Sequence, residues 1–274
     1  MVGTLFIIGT PIGNLEDLSF RAVRVLREAD RIACEDTRHT RHLLDHYGID
    51  RPLVSYHEHN ERERTAELLR ELEEGRNVAL VSDAGTPLIA DPGYRIVHAA
   101  RERGIPVVPI PGASAIMAAL SAGGLATDAF LFVGFLPAKA GARKRALESW
   151  QSLEATLVCY EAPHRVVETL RTIAEVDAAR RVVVARELTK LHEEFLEGTA
   201  ASIADTLEAR PAIKGEFTIL IARAEPALPG DETNIEAEVA ALVASGTPRM
   251  DALKAVARKF GLSKREVYKR VEGG

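Results

Sequence analysis

Short apolar runs alternate with helix-period segments from the first residues of this chain. LFII is followed by SFRAVRVLREA, RIAC by RHTRHLLDHYG, LVSY by NERERTAELLRELEEG, VALVS by PGYRIVHAARERG, and IPVVPIPG by SAIMAALSAGG. A buried strand reads as a brief unbroken apolar run, whereas an amphipathic helix repeats its apolar positions every 3.6 residues. Repeated strand–helix units of this kind return the chain to the same edge each time, so consecutive strands run parallel and helices cover the sheet. Helix starts are marked as well: Asn60 with Glu63 forms a capping-box pattern, and Ser114 after Pro111-Gly112 reads as an N-cap.

The rhythm changes near Gly123-Gly124, where a boundary between two α/β lobes is expected, giving a first lobe over 1–122 and a second over 123–224. The second contains FLFVGF, a basic helix AGARKRALESW, TLVCYE, the helix PHRVVETLRTIAEV, RVVVARE, EEFLEGT, a helix from Ala200 and EFTILIA. Because these last strands lack a long crossover between every pair, the second sheet is expected to be mixed. Residues 225–274 then read as a linker, EPALPGDETN, and a helical tail with the patterns IEAEVAALVASG, TPRMDALKAVARKFG and SKREVYKRV. Thr247-Pro248 and the Ser263/Glu266 pair mark helix starts. The Gly261-Leu262-Ser263 turn resembles a helix-turn-helix corner, and an ordinary interaction appendage fits it equally well.

Hydrophobic residues make up 46% and charged residues 27% of the chain, the balance of a globular protein. The apolar runs are strand-length, short of the roughly 20 residues of a membrane span. The chain opens directly on a strand pattern with no targeting leader, and a cytosolic location is expected. Cys34 and Cys159 each end an apolar run and read as buried thiols, since a disulfide framework or zinc site needs clustered cysteines. The net charge of −5 conceals an asymmetry: Thr247 to Gly274 holds eight Lys or Arg against three Asp or Glu, a basic tail of +5 on an acidic body of −10.

Three loops leave the carboxyl ends of first-lobe strands: GTPIGNLEDLS, SDAGTPLIADPG and PIPGASA. Ligands of an open α/β sheet bind outside those ends, so the loops belong to one crevice. No Walker loop or dinucleotide fingerprint is present. Pro11, Pro87 and Pro92 remove backbone donors that a phosphate cradle would use, and SDAGTPLIADPG contains no basic residue. With Asp83 in it, such a crevice suits a neutral or cationic small molecule.

GTPIGNLEDLS, CEDTR, SYHEHNE, SDAGTPLIADPG, PGASA and CYEAPHR together resemble the signature set of the ribosomal RNA small subunit methyltransferase I family, a branch of the tetrapyrrole methylase superfamily. The resemblance covers Thr4 to about Arg223. It implies two α/β lobes with S-adenosylmethionine in the cleft between them, 2′-O-methylation of a cytidine ribose in 16S rRNA of the small ribosomal subunit, and a homodimer. It also implies cofactor contacts from Pro11, Asp83, Gly85 and Thr86, from Ser114 and Ala115, and from Tyr160, Glu161, Leu188 and Thr218. Tetrapyrrole methylases usually carry G-P-G-D and G-D-P where this chain has Gly9-Thr10-Pro11-Ile12-Gly13 and Gly85-Thr86-Pro87, a departure that favours the ribosomal branch.

A ribose hydroxyl is a poor nucleophile at neutral pH, so a general base or a strong hydrogen-bond acceptor should assist its methylation, and sequence assigns no single residue to that role. Glu161, Asp36 and His59 are the leading candidates, with Glu35, Glu58, His57 and His164 behind them. Asp36 with Arg38 also reads as a helix cap and its ion partner. His57-Glu58-His59, at alternate strand positions, supplies two metal ligands at most, and no metal site is expected. Phosphate neutralisation dominates RNA affinity. It is assigned to Lys139, Arg143, Lys144 and Arg145 after FLFVGFLP, and to Arg258, Lys259, Lys264, Arg265, Lys269 and Arg270 in the tail. Two other functions stay open: methylation of a tetrapyrrole ring or a modified protein histidine on the same fold, and a non-catalytic ribosome-binding assembly factor.

Overall fold

The computed structural model describes residues 1–224, 232–260 and 262–272. Its first sheet contains β1 (Leu5–Ile8), β2 (Arg31–Cys34), β3 (Leu53–Ser55), β4 (Val78–Val81) and β5 (Val107–Ile110) in the order β3-β2-β4-β1-β5. All four pairings are parallel, as the alternation demands. The connecting helices are α1 (Phe20–Glu28), α2 (Thr37–His46), α3 (Glu61–Glu73) and α4 (Tyr94–Glu102), and α5 (Ala115–Ala122) follows β5. Ile32, Cys34, Ala79 and Val81 pack with Leu26 and Leu44 from α1 and α2. Their neighbours Ala33, Val78 and Leu80 pack with Leu68, Leu72 and Ile96 from α3 and α4. Successive side chains point to opposite faces and both faces are covered, which is why VALV is apolar at every position.

Three of the first five helices begin on a side-chain cap: Ser19 accepts from Ala22 N, Asp36 from Arg38 N and Ser114 from Met117 N. Asn60 departs from the expected capping box. Its side chain makes no cap bond to α3; it accepts from His57 N at 2.9 Å and donates to Ser55 O at 3.1 Å, tying down the turn before the helix.

The second sheet is mixed. β6 (Phe130–Phe135), β7 (Thr156–Glu161), β8 (Arg181–Arg186), β9 (Glu194–Thr199) and β10 (Phe217–Ile221) lie in the order β6-β7-β10-β8-β9. Only β6 and β7 are parallel. One face is covered by α6 (Ala140–Ser149), α7 (Val166–Val176) and α8 (Ala200–Glu208), through Leu147, Leu170, Ile173, Ile203 and Leu207. The other packs on α5: Ile116, Ala119 and Leu120 meet Val158, Val183 and Leu220. Both sheets therefore lie in one compact unit, Met1–Arg223. Gly123, beside the expected boundary, caps α5, and a side chain there would strike Leu220 and the Ala119 carbonyl.

Ala224–Gly274 forms a second unit. Within it α9 (Glu232–Ala244), α10 (Arg249–Lys259) and α11 (Lys264–Glu272) enclose Ile235, Val239, Leu253, Val256 and Val267. The expected linker extends to Asn234, but Glu232 already opens α9; residues 225–231 and Gly261, of the helix-turn-helix corner, lie outside the described residues. The capping box is complete, with Ser263 N donating to Glu266 and Glu266 N to Ser263 Oγ. Among the described residues no helix is long and apolar enough to cross a membrane.

Candidate active site

The three first-sheet loops fasten to one another before they meet anything else. Thr10 and Gly85 exchange backbone hydrogen bonds of 2.8 and 3.2 Å, and the Thr10 hydroxyl donates to the Ser82 and Gly85 carbonyls. Gly85 has φ +83°, a conformation glycine adopts without steric cost. Gly9 crosses Gly112 so closely that a Cβ on Gly112 would stand 2.4 Å from the Gly9 carbonyl oxygen. The third loop is tied by Thr86, whose hydroxyl donates to Ala113 O at 3.5 Å. Thr10 and Thr86, the positions that depart from the common superfamily pattern, are thus the ones that bind loop to loop.

Between this wall and the second sheet lies a cavity of about 360 Å³, within the range of small-molecule sites. Of the expected cofactor residues, Gly85, Thr86, Ser114, Ala115, Tyr160, Glu161, Leu188 and Thr218 line it. Pro11 and Asp83 do not: the lining residue of the first loop is Ile12, and Asp83 turns its carboxylate to the Asp36 amide at 3.0 Å. Residues that the sequence reading missed also line it, among them Ile89, Asp91, Phe135 and Glu216. The walls are mostly apolar with a few polar groups, the composition of a site that encloses an organic ligand.

The expected general bases are placed apart. Asp36 caps α2 and grips Arg38, with contacts of 2.8 Å to its amide and 2.7 and 3.1 Å to its guanidinium. The Arg38 hydrogen bonds hold its carboxyl well below the usual range, so it is a weak base, and it lies outside the cavity lining. His57, Glu58 and His59 follow the end of β3, Glu58 and His59 in a turn and not at alternate strand positions. His59 is exposed and does not reach the cavity. Glu161 does line it, but its side chain is buried and occupied: Oε1 accepts from Ala162 N at 2.9 Å, Oε2 from the Thr169 hydroxyl at 2.6 Å, and Arg165 lies 3.3 Å away. Local structure accounts for this carboxylate, and the helix read from Pro163 begins only at Val166.

Asp91 differs from all of these. Burial pushes its carboxyl up to about 6, with Glu35 and Asp83 adding to the shift and a hydrogen bond from Ser82 opposing it. Glu35 is itself raised, by burial first and then by Asp83 and Glu58. Across the cavity, burial raises the Tyr160 phenol to about 12, reinforced by Asp91 and Glu216, so Tyr160 remains a hydrogen-bond donor. Phe132 and Phe135 pack edge-on against its ring. The first-sheet side of the cavity is therefore anionic, as the sequence implies, though through Asp91 and not Asp83. Among the described residues no group of three or more His, Cys, Asp or Glu side chains is disposed to hold a metal ion.

Arg143 is the clearest correction among the basic residues expected to meet RNA. It has no exposed surface: Nε donates to the Thr172 hydroxyl at 3.1 Å, and Nη2 lies 3.0 Å from Glu168. Lys139 and Arg145 are exposed, while Lys144 is half-buried and pairs with Glu175 at 3.3 Å. Arg143→Ala is expected to lower stability by about 3 kcal/mol through lost packing and the loss of its hydrogen bond to Thr172, whose hydroxyl keeps the Glu168 carbonyl. Chemical unfolding measures this loss, which an RNA-contacting surface arginine would not show.

Two sheets enclosing a cleft beyond three parallel-strand ends define the class, and residues 4–204 match the model of the family described as Tetrapyrrole (Corrin/Porphyrin) Methylases. At the level of fold, uroporphyrin-III C-methyl transferase from Thermus thermophilus, complexed with S-adenyl homocysteine, matches with a TM-score of 0.56 at 21% identity, over 80% of this chain and 97% of that one. The similarity in sequence is far higher to "Ribosomal RNA small subunit methyltransferase I" of Halalkalibacterium halodurans, 47% identical over 272 residues, 97% of this chain and 93% of the relative. The Synechocystis protein of the same name is 48% identical over 271 residues, 97% of this chain and 96% of the relative. The chain belongs to the ribosomal RNA small subunit methyltransferase I group of the tetrapyrrole methylase family.

Proposed function

We propose that this protein transfers a methyl group from S-adenosylmethionine to the ribose 2′-oxygen of a cytidine in 16S rRNA of the small ribosomal subunit, in the cytoplasm. The observation that carries this reading is identity of 47% over nearly the whole length with a relative so named. The cavity supports it independently. Its volume suits a nucleoside-sized ligand, and the carboxylate of Asp91 complements a cationic sulfonium, which supplies the electrophilic methyl group when bound.

Gly85, Thr86, Ser114 and Ala115 would hold the cofactor from the first sheet, and Tyr160, Glu161, Leu188 and Thr218 from the second. Pro11 and Asp83 act behind them, Asp83 by fixing the Asp36 amide and so the β2 loop. The interlocked loops keep this wall rigid, which serves a displacement whose rate depends on alignment of the attacking oxygen with the transferred carbon. Apolar residues such as Ile12, Leu188 and Phe217 exclude water from the reacting groups.

Lys139 and Arg145 on the body, with Lys144 beside them, and Lys264, Arg265, Lys269 and Arg270 in the tail would neutralise RNA phosphates. Deleting Thr247–Gly274 is expected to weaken small-subunit binding by roughly tenfold or more at moderate salt while sparing S-adenosylmethionine affinity. Unchanged methylation at low enzyme concentration would contradict this. A homodimer is part of the reading, supported by the edge strand β6, where Phe130 and Leu131 are exposed; sedimentation equilibrium tests it. The reaction itself is tested by incubating 30S subunits with methyl-labelled S-adenosylmethionine and digesting the RNA to nucleosides. Label in 2′-O-methylcytidine is expected; label on a base, or none, refutes the assignment.

A further inference from the structure

The apolar lining of the cavity is of two kinds. Ile12, Leu188 and Phe217 are buried, whereas Ile89 and Phe135 are left 43% and 55% exposed. Phe135 is the aromatic one of the exposed pair, and the strand that carries it is irregular at this point. From Phe132 to Phe135 β6 advances three residues while its partner β7 advances two, from Val158 to Tyr160. One residue is therefore extra, a β-bulge, and Gly134 within it has φ +66°, a left-handed conformation that glycine adopts without steric cost.

The bulge decides which way the ring points. Side chains of a regular strand alternate between faces. Phe132 lies on the face that meets α5, and Val133 on the face covered by α6, α7 and α8. Strict alternation would return residue 135 to the side of Val133, in the core. The extra residue reverses this. Phe135 joins Phe132 on the cleft face, with ring centroids 5.8 and 4.9 Å from that of Tyr160, and Leu136 enters the core in its place. The chain beyond is pinned, since Arg165 donates to Leu136 O at 2.7 Å and Arg143 to Ala138 O at 3.4 Å. Lys139 follows, exposed, at the start of α6. A bulge disrupts the ladder, and a ring that ends more than half in solvent recovers little of that cost through burial. An aromatic ring held at the edge of a cleft, with a cation just beyond it, suits a planar ligand joined to a phosphate.

Resting on the methyltransferase reading, we infer that Phe135 is the platform on which the base of the target cytidine stacks, with Lys139 taking a phosphate of the same strand. Enzymes that modify a nucleotide take its base out of the helical stack and receive it on aromatic or apolar side chains. Stacking on Phe135 replaces the contacts that the base gives up and holds its ribose toward the cofactor, where alignment governs the rate. Every base has a π-face, so Phe135 supplies affinity and alignment and does not by itself distinguish cytidine from uridine.

Phe135→Ala, Phe135→Leu and Phe135→Tyr test this on 30S subunits. Loss of one stacked base should lower kcat/KM for the subunit by roughly 10- to 100-fold. Phe135→Ala and Phe135→Leu should lose alike, because leucine restores apolar bulk without a π-face. Phe135→Tyr keeps the ring and should stay within about threefold of wild type. S-adenosylmethionine affinity by calorimetry and the urea midpoint should be unchanged in all three, as befits a side chain more than half exposed. Phe135→Leu keeps the bulk and decides the matter if Phe135→Ala unfolds. Phe135→Leu that retains more than about a third of wild-type kcat/KM overturns the assignment. So does a fall in S-adenosylmethionine affinity that matches the fall in kcat/KM, which would place the ring against the cofactor, or a shift in sedimentation, which would place it between subunits. Wild-type protein that labels no ribose overturns the methyltransferase reading; a labelled ribose with unimpaired Phe135→Ala overturns the platform alone.

Discussion

Gly112→Ala is expected to cost about 3 kcal/mol or more of stability and to abolish S-adenosylmethionine binding. The added methyl group would stand 2.4 Å from the Gly9 carbonyl oxygen and 2.8 Å from its Cα, and neither atom belongs to a flexible side chain. Relief requires the first and third loops to separate, at the upper end of overpacking costs. Separation would displace Ser114 and Ala115, which line the cavity two and three residues further on. Gly85→Ala provides the contrast: its nearest neighbour would be an Ile12 methyl at 3.5 Å, so only the φ of +83° is penalised, by about 1–2 kcal/mol. Thermal unfolding and calorimetry on the two variants separate the effects; near-normal binding by Gly112→Ala would contradict the interlocked wall.

Glu161→Ala is expected to lose about 3–5 kcal/mol, the penalty for breaking a buried, hydrogen-bonded charge pair. The Thr169 hydroxyl and the Ala162 amide lose their acceptor, and Arg165, mostly buried, loses its partner across 3.3 Å. Glu161→Gln retains an acceptor for Ala162 and should fall between the variant and the wild type. Urea unfolding decides the matter. A Glu161→Ala protein with normal stability but turnover reduced 100-fold would give Glu161 a catalytic role in place of a structural one.

The legible part of this molecule is what periodicity and spacing carry. Four parallel crossovers, the mixed second sheet and one crevice shared by three loops follow from runs such as VALV and from the glycine–proline loops beyond them. Choosing between Asp83 and Asp91 was beyond that reading, since both carboxylates belong to SDAGTPLIADPG and pattern does not say which one turns inward. The choice depends on left-handed Leu88 and Ala90, residues that carry no such signal. Arg143 was more accessible: it lies four residues before the buried Leu147, on the inner stripe of α6, so its neighbours in the basic cluster could meet solvent while it could not. Asn60 had the right residue type for a cap, but the turn at Ser55–His57 competed for the same amide and won.

A crystal structure of the protein with S-adenosylhomocysteine tests the central claim most directly. The ligand is expected in the cleft between Ser114-Ala115 and Tyr160-Thr218, with its sulfur on the side of the Asp91 carboxylate and the Thr10–Gly85 bridge intact. Density for the ligand outside this cleft, or with Asp91 remote from the sulfur and Asp83 in its place, would contradict the account.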